Sequence, residues 1–170
     1  MGWPVAVLPE THDGLAVGYL GMGSVFEAIG RNLSAQPLLS QAVIAPELLI
    51  RAGSKAQQAH WLPLLAAGKA RIGLVADADC VGHLPAYGAS NQRLKIINQQ
   101  LSGACSFVID GVGADAFIVL ASSEAGVPSL WLVPANAAGV RCHSVSMMDS
   151  RNMAWVGFDN VALADAMALS

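Results

Sequence analysis

Apolar and polar positions follow two different rhythms along this chain. Met22, Val25, Phe26, Ile29 and Leu33 keep the three-four spacing of an amphipathic helix, with Glu27 and Arg31 one turn apart on its outer side. A second apolar stretch, Leu38 to Ala52, is helical in composition, and Pro46 inside it predicts a kink or restart. Ser54 to Gly68 forms a third helical unit. Gly53 suits the left-handed position that ends one helix, Ser54 caps the next, and Gln57 completes a capping box. Pro63 disfavours helical angles at Leu62, which predicts a turn there. From Ala70 onward the rhythm shortens to β-rich runs: Ile72 to Val75, Arg93 to Ile97, Ser106 to Ile109, Ala116 to Ala121, Ser129 to Val133 and Ala154 to Phe158. Asp110-Gly111, Glu124-Ala125-Gly126 and Ala138-Gly139 punctuate them as turns. The expectation is an α+β chain: a partial helical domain over residues 1–69, then an antiparallel β-barrel or sandwich over 70–170.

Composition adds one constraint. Charged residues make up 12% of the 170, about half the roughly 25% usual in soluble chains, while 54% are hydrophobic. No apolar run reaches the roughly 18 residues of a membrane helix, because Lys, Arg, Pro and Gly break each stretch. A surface this apolar calls for cover by further chain or a partner subunit. The net charge of −3 and singly scattered arginines argue against nucleic acid. Cys80, Cys105 and Cys142 are odd in number and widely spaced, which excludes a disulfide framework or zinc knuckle and fits a reducing compartment. Met1-Gly2-Trp3-Pro4 lacks the start of a signal peptide, which makes the cytoplasm the expected address.

The segment from Gly53 through Gln57, Trp61-Leu62-Pro63 and Gly68 resembles the acyl-CoA dehydrogenase family, where such a stretch links N-terminal helices to a flavin-binding β-domain. Three further stretches agree in order. Gly2-Trp3-Pro4, Pro9-Glu10 and Asp13-Gly14-Leu15 look like the loop before a family helix, with Asp13-Gly14 standing where Gly-Gly is usual. Leu101 to Ile109, followed by Gly113-Ala114-Asp115, looks like the strand-turn-strand beside the flavin. Asp149-Ser150-Arg151 with Val156, Phe158, Asp159 and Val161 looks like the close of the β-domain.

The resemblance implies FAD as cofactor and an acyl-CoA thioester as substrate, dehydrogenated at its α and β carbons, with a homo- or hetero-oligomer as the full-length form. It places Val75, Ala76, Phe107, Val108 and Ile109 at the flavin and Gly82 at the thioester. It assigns no catalytic residue here, because the family's carboxylate base lies in a C-terminal helical domain, and the chain looks like a central piece cut at both ends. The sequence departs from the pattern at two positions: Ala76 stands where the family has Thr, and Ile109 where it has Thr or Ser. A second reading follows, of a non-catalytic subunit or truncated product with weakened flavin binding. From the residues alone, Phe107, Trp61 and Trp131 read as core aromatics. Asp77, Asp79, Cys80 and His83 read as a solvated loop rather than a metal site, and Arg151 reads as a surface partner of Asp149. Gly21 and Gly23 lack the third glycine and preceding strand of a dinucleotide loop.

Overall fold

A computed structural model of the chain describes residues 5–76 and 92–170. It divides at Arg71/Ile72 into a helical unit and a β unit.

In the helical unit, helix α1 spans Gly18–Arg31. It buries Met22 against Ala6 and Ala42, with Val25 and Phe26 packed beside them. Leu33 falls outside the predicted stripe: it lies beyond the helix end, left-handed at φ 49° and exposed. A π-helical turn, Leu39–Ile44, then passes into α2, Ala45–Ala52, with Pro46 in its first turn. The restart predicted at Pro46 is therefore a widening of the helix, in the first turn where proline's missing N–H costs little. Helix α3, Lys55–Ala66, carries the expected capping box. The Ser54 hydroxyl accepts from the Gln57 amide at 3.2 Å, and the Gln57 side chain accepts from the Ser54 amide at 2.7 Å.

Two expectations for this segment need correction. No turn forms at Leu62: α3 runs through Pro63 to Ala66. Pro63 sits on the exposed side while Leu62 and Leu65 are buried on the other, and that burial outweighs the angular bias. Gly53 is not left-handed but extended, at φ −79° and ψ 141°. It is glycine because a side chain there would run into the Leu49 carbonyl. The left-handed glycine is Gly68, at φ 65°, where the Lys69 amide donates to Leu64 and the Gly68 amide to Leu65, the pair of bonds that closes a helix end.

The β unit is a single sheet, mostly antiparallel, in the order β6-β7-β3-β2-β4-β5-β8, with β1 also on β4. Its strands are β1 Ile72–Ala76, β2 Gln92–Ile97, β3 Gln100–Ile109, β4 Ala116–Ser123, β5 Pro128–Pro134, β6 Val140–Val145, β7 Met153–Ala162 and β8 Ala168–Leu169. Two pairings are parallel. One edge of β4 is shared end to end by β1, which runs beside Ala116 to Leu120, and by β2, which runs beside Ser122 and Ser123. Alternate residues of strands far apart in this order, Val75, Leu101, Val108, Phe117, Val119, Val133, Val156 and Phe158, meet in one core, so the sheet curls around it. Phe117 and Phe158 pack edge to face there.

The six expected strands are present, with β3 and β7 longer than read, and β6 and β8 were not read from the sequence. Strand β6 is nearly all exposed and polar, so it lacks the alternation that marks a half-buried strand. Among the described residues no helix is long and apolar enough to cross a membrane.

Candidate functional site

The residues singled out in the β unit sit on β1 and β3. In β1 the pleat sends Val75 into the core, fully buried, and leaves Ala76 half-buried at the strand end. The Ala76 carbonyl lies 3.5 Å from Cys105 Sγ, so the end of β1 is held beside the middle of β3. In β3 the register against β7 breaks: Cys105 pairs with Val156 and Val108 with Ala154. Two residues, Ser106 and Phe107, therefore oppose Trp155 alone, which makes a β-bulge.

The bulge explains Phe107. Its backbone is left-handed at φ 62°, a conformation a bulky residue adopts at a cost of about 1 kcal/mol or more. It is 49% exposed. The core role that composition suggested is thus overturned: the extra residue turns the ring out of the interior, and Val108, at 2% exposure, takes the core position. Ile109 is half-buried and pairs with Met153.

The five positions that the resemblance assigns to a flavin therefore do different things. Val75 and Val108 are buried whole and supply core packing. Ala76, Phe107 and Ile109 present side chains that are partly or largely exposed. Gly82, and with it Asp77, Asp79, Cys80 and His83, lies outside the described residues. Trp131, packed on the core with its indole N–H 2.9 Å from Ser129 Oγ, is the core anchor expected. Trp61 is half-buried and meets His60 edge to face. Arg151 and Asp149 approach to 3.9 Å, both exposed.

Sequence reasoning missed the residues around the bulge. Trp155 faces it from β7, and its indole lies over Gly157, where any side chain would overlap the ring. On the neighbouring strand His143 pairs with Trp155 and stacks on it, centroids 5.5 Å apart and planes 17° from parallel. The only signal in the sequence is a glycine inside a strand pattern, which marks close approach without saying of what.

The electrostatics here are quiet. Although Cys142 is exposed overall, partial desolvation of its thiol raises it above its ordinary range, and its Sγ lies 3.4 Å from the Gly111 carbonyl. Among the described residues no group of His, Cys, Asp and Glu can hold a metal ion. The helical unit holds a separate cavity of about 650 Å³ between α1 and the end of α3, lined by uncharged side chains such as Val25, Ile29, Leu38, Gln41 and Leu65, together with Arg71.

An exposed aromatic on a strained bulge, flanked by the half-buried Ala76 and Ile109, fits the flat apolar face of a ring such as a flavin's. The polar edge of that ring has no side-chain hydroxyl to meet at Ala76 or Ile109, so backbone groups would have to serve it.

Residues 1–69 match the family described as "Acyl-CoA dehydrogenase, N-terminal domain". No curated protein sequence matches the chain. Among solved structures, the ChsE4-ChsE5 complex from Mycobacterium tuberculosis superposes with a TM-score of 0.80 at 22% identity, over 99% of this chain and 44% of that one. The prolyl acyl carrier protein oxidase AnaB gives 0.80 at 18% identity, over 99% and 48%. A glutaryl-CoA dehydrogenase from Mycobacterium smegmatis in complex with FADH2 gives 0.64 at 25% identity, over 77% and 34%. The chain thus spans half or less of the length of these structures. Residues 1–69 thus resemble the N-terminal domain of acyl-CoA dehydrogenases in sequence, and the chain shares the fold of these structures.

Proposed function

We propose that this chain is the flavin-side part of a flavin-dependent dehydrogenase acting on acyl-CoA thioesters. One observation carries the reading: the β3 bulge holds Phe107 out of the core in a costly left-handed conformation, beside the end of β1. Strain of this kind persists where surrounding structure enforces it, and it concentrates at ligand sites. The chemistry a flavin supplies when bound is acceptance of the β hydrogen of the thioester as hydride. The part of this chain is positional. Phe107 offers its ring as a floor for the flavin, Ala76 and Ile109 border the ring's edge, and the buried Val75 and Val108 hold those two strands in place from the core. Gly82 is the position proposed for the thioester. The α proton falls to a carboxylate outside these residues. Oligomeric assembly of the full-length form and a cytoplasmic address belong to the same reading.

Ala76 and Ile109 favour a second reading, a family subunit without catalysis. Each missing hydroxyl costs on the order of 1 kcal/mol of flavin affinity, and together they weaken binding by about tenfold to a few hundredfold. Purification with added FAD, gel filtration and a visible spectrum separate the two. Co-eluting flavin absorbance supports the first reading, and a colourless protein supports the second.

A further inference from the structure

We propose that the ring site extends from Phe107 across the sheet to Trp155, which stacks on the same flat ligand, with His143 holding the indole in place. The inference rests on the flavin reading of Phe107 given above.

Three observations point to it. Trp155 is the single residue opposite the two-residue bulge, so Phe107 and Trp155 are neighbours across the strand pair at the point where the ladder opens. On β7 the flanking residues Ala154, Val156 and Phe158 are buried in the core, so alternation puts Trp155 on the other face of the sheet, where Phe107 is exposed. The indole is also constrained. The end of its benzo ring occupies the space over Gly157, a residue that leaves room for it only by lacking a side chain, and His143 from β6 stacks on it.

The three rings thus sit on β3, β7 and β6, adjacent strands about 4.8 Å apart. Three strands at that spacing span roughly 10 Å. Tryptophan suits such a floor, since it offers a large rigid face at little cost in side-chain freedom. An exposed aromatic row serving only to stabilise the sheet would not need its partner strand bulged so as to turn Phe107 outward.

The test titrates FAD into the wild-type chain and into Trp155→Ala, Trp155→Phe and Phe107→Ala, with circular dichroism to check folding. Contact with an indole quenches flavin emission by electron transfer, so the flavin should be dim on the wild type and markedly brighter on Trp155→Phe. Trp155→Ala should weaken binding about tenfold, and Trp155→Phe, which keeps a ring, by about twofold. If Phe107→Ala weakens binding while both Trp155 variants match the wild type in affinity and flavin emission, the flavin reading of Phe107 stands and the extension falls. If no protein in the set binds FAD, or Phe107→Ala binds as the wild type does, the flavin reading falls and takes the extension with it. Should Trp155→Ala fail to fold, flavin emission on Trp155→Phe decides.

Discussion

The Ala76 carbonyl and the Cys105 thiol, 3.5 Å apart, fasten the end of β1 to the residue that opens the β3 bulge. Position 76 is thereby fixed relative to Phe107, and a hydroxyl added there would have a defined direction. Ala76 is half-buried at the strand end, where a β-branched residue is at home. We expect Ala76→Thr to tighten FAD binding about fivefold, corresponding to one hydrogen bond of roughly 1 kcal/mol. Isothermal titration with FAD checks it. An unchanged or weaker affinity would show that position 76 does not face the cofactor.

Phe107 carries a prediction that runs against ordinary experience with phenylalanine. A core Phe shortened to a small residue costs about 3–5 kcal/mol. Phe107 is half exposed and left-handed, so Phe107→Gly removes little packing and relieves a backbone penalty of about 1 kcal/mol. Its urea midpoint should equal or exceed that of the wild type. Phe117→Ala, fully buried in the same sheet, should fall by the full core amount. If Phe107→Gly loses as much as Phe117→Ala, the ring is structural after all.

How much of this was legible beforehand differs between the two units. The α1 stripe, the Ser54 capping box and most strands could be read because local rules, spacing, caps and turn residues, decide them. The β2–β3 hairpin turn, Asn98-Gln99, has both residues left-handed but lacks the glycine that usually announces such a turn. The bulge at Ser106-Phe107 is a matter of register between β3 and β7, strands far apart in sequence, and nothing local encodes it. That is why Phe107 reads as core in the sequence and proves exposed. The same holds for Trp155 and Gly157, whose relation depends on how an indole lies on a sheet.

In the helical unit a charge cluster ties α1 to α2. The Glu47 carboxylate pairs with Arg51 and interacts electrostatically with the Tyr19 phenol. The Arg51 bond holds the Glu47 carboxyl below its ordinary range, and burial followed by the Glu47 carboxylate raises the Tyr19 phenol. A carboxylate with a lowered folded pKa contributes stability that is present above its unfolded value, about 4.3, and is lost as pH falls through the folded value. Unfolding of the wild type should therefore become easier below about pH 4.5, and Glu47→Gln should flatten that part of the curve. Urea melts across the acid range check this. Parallel curves for the two proteins would mean that the tie contributes nothing.

The two glycines that bracket α3 should respond differently to alanine, because they are glycine for different reasons. Gly68 has open space around its missing Cβ but a φ of 65°, so Gly68→Ala meets only the left-handed penalty, about 1 kcal/mol. Gly53 is extended, with no penalty from its dihedral angles, yet a Cβ there collides with the Leu49 carbonyl, which is backbone and cannot swing aside. Gly53→Ala must move the end of α2 against the start of α3, straining the bonds from the Gln58 side chain to the Ile50 and Gly53 carbonyls. It should cost roughly 2 kcal/mol or more. Gly68→Asn provides the contrast, since asparagine tolerates the left-handed region, and should recover most of the loss at that position. Chemical denaturation of the three variants gives the order Gly68→Asn, Gly68→Ala, Gly53→Ala from most to least stable. If Gly53→Ala proved the mildest, the close approach of Leu49 could not be what keeps residue 53 without a side chain.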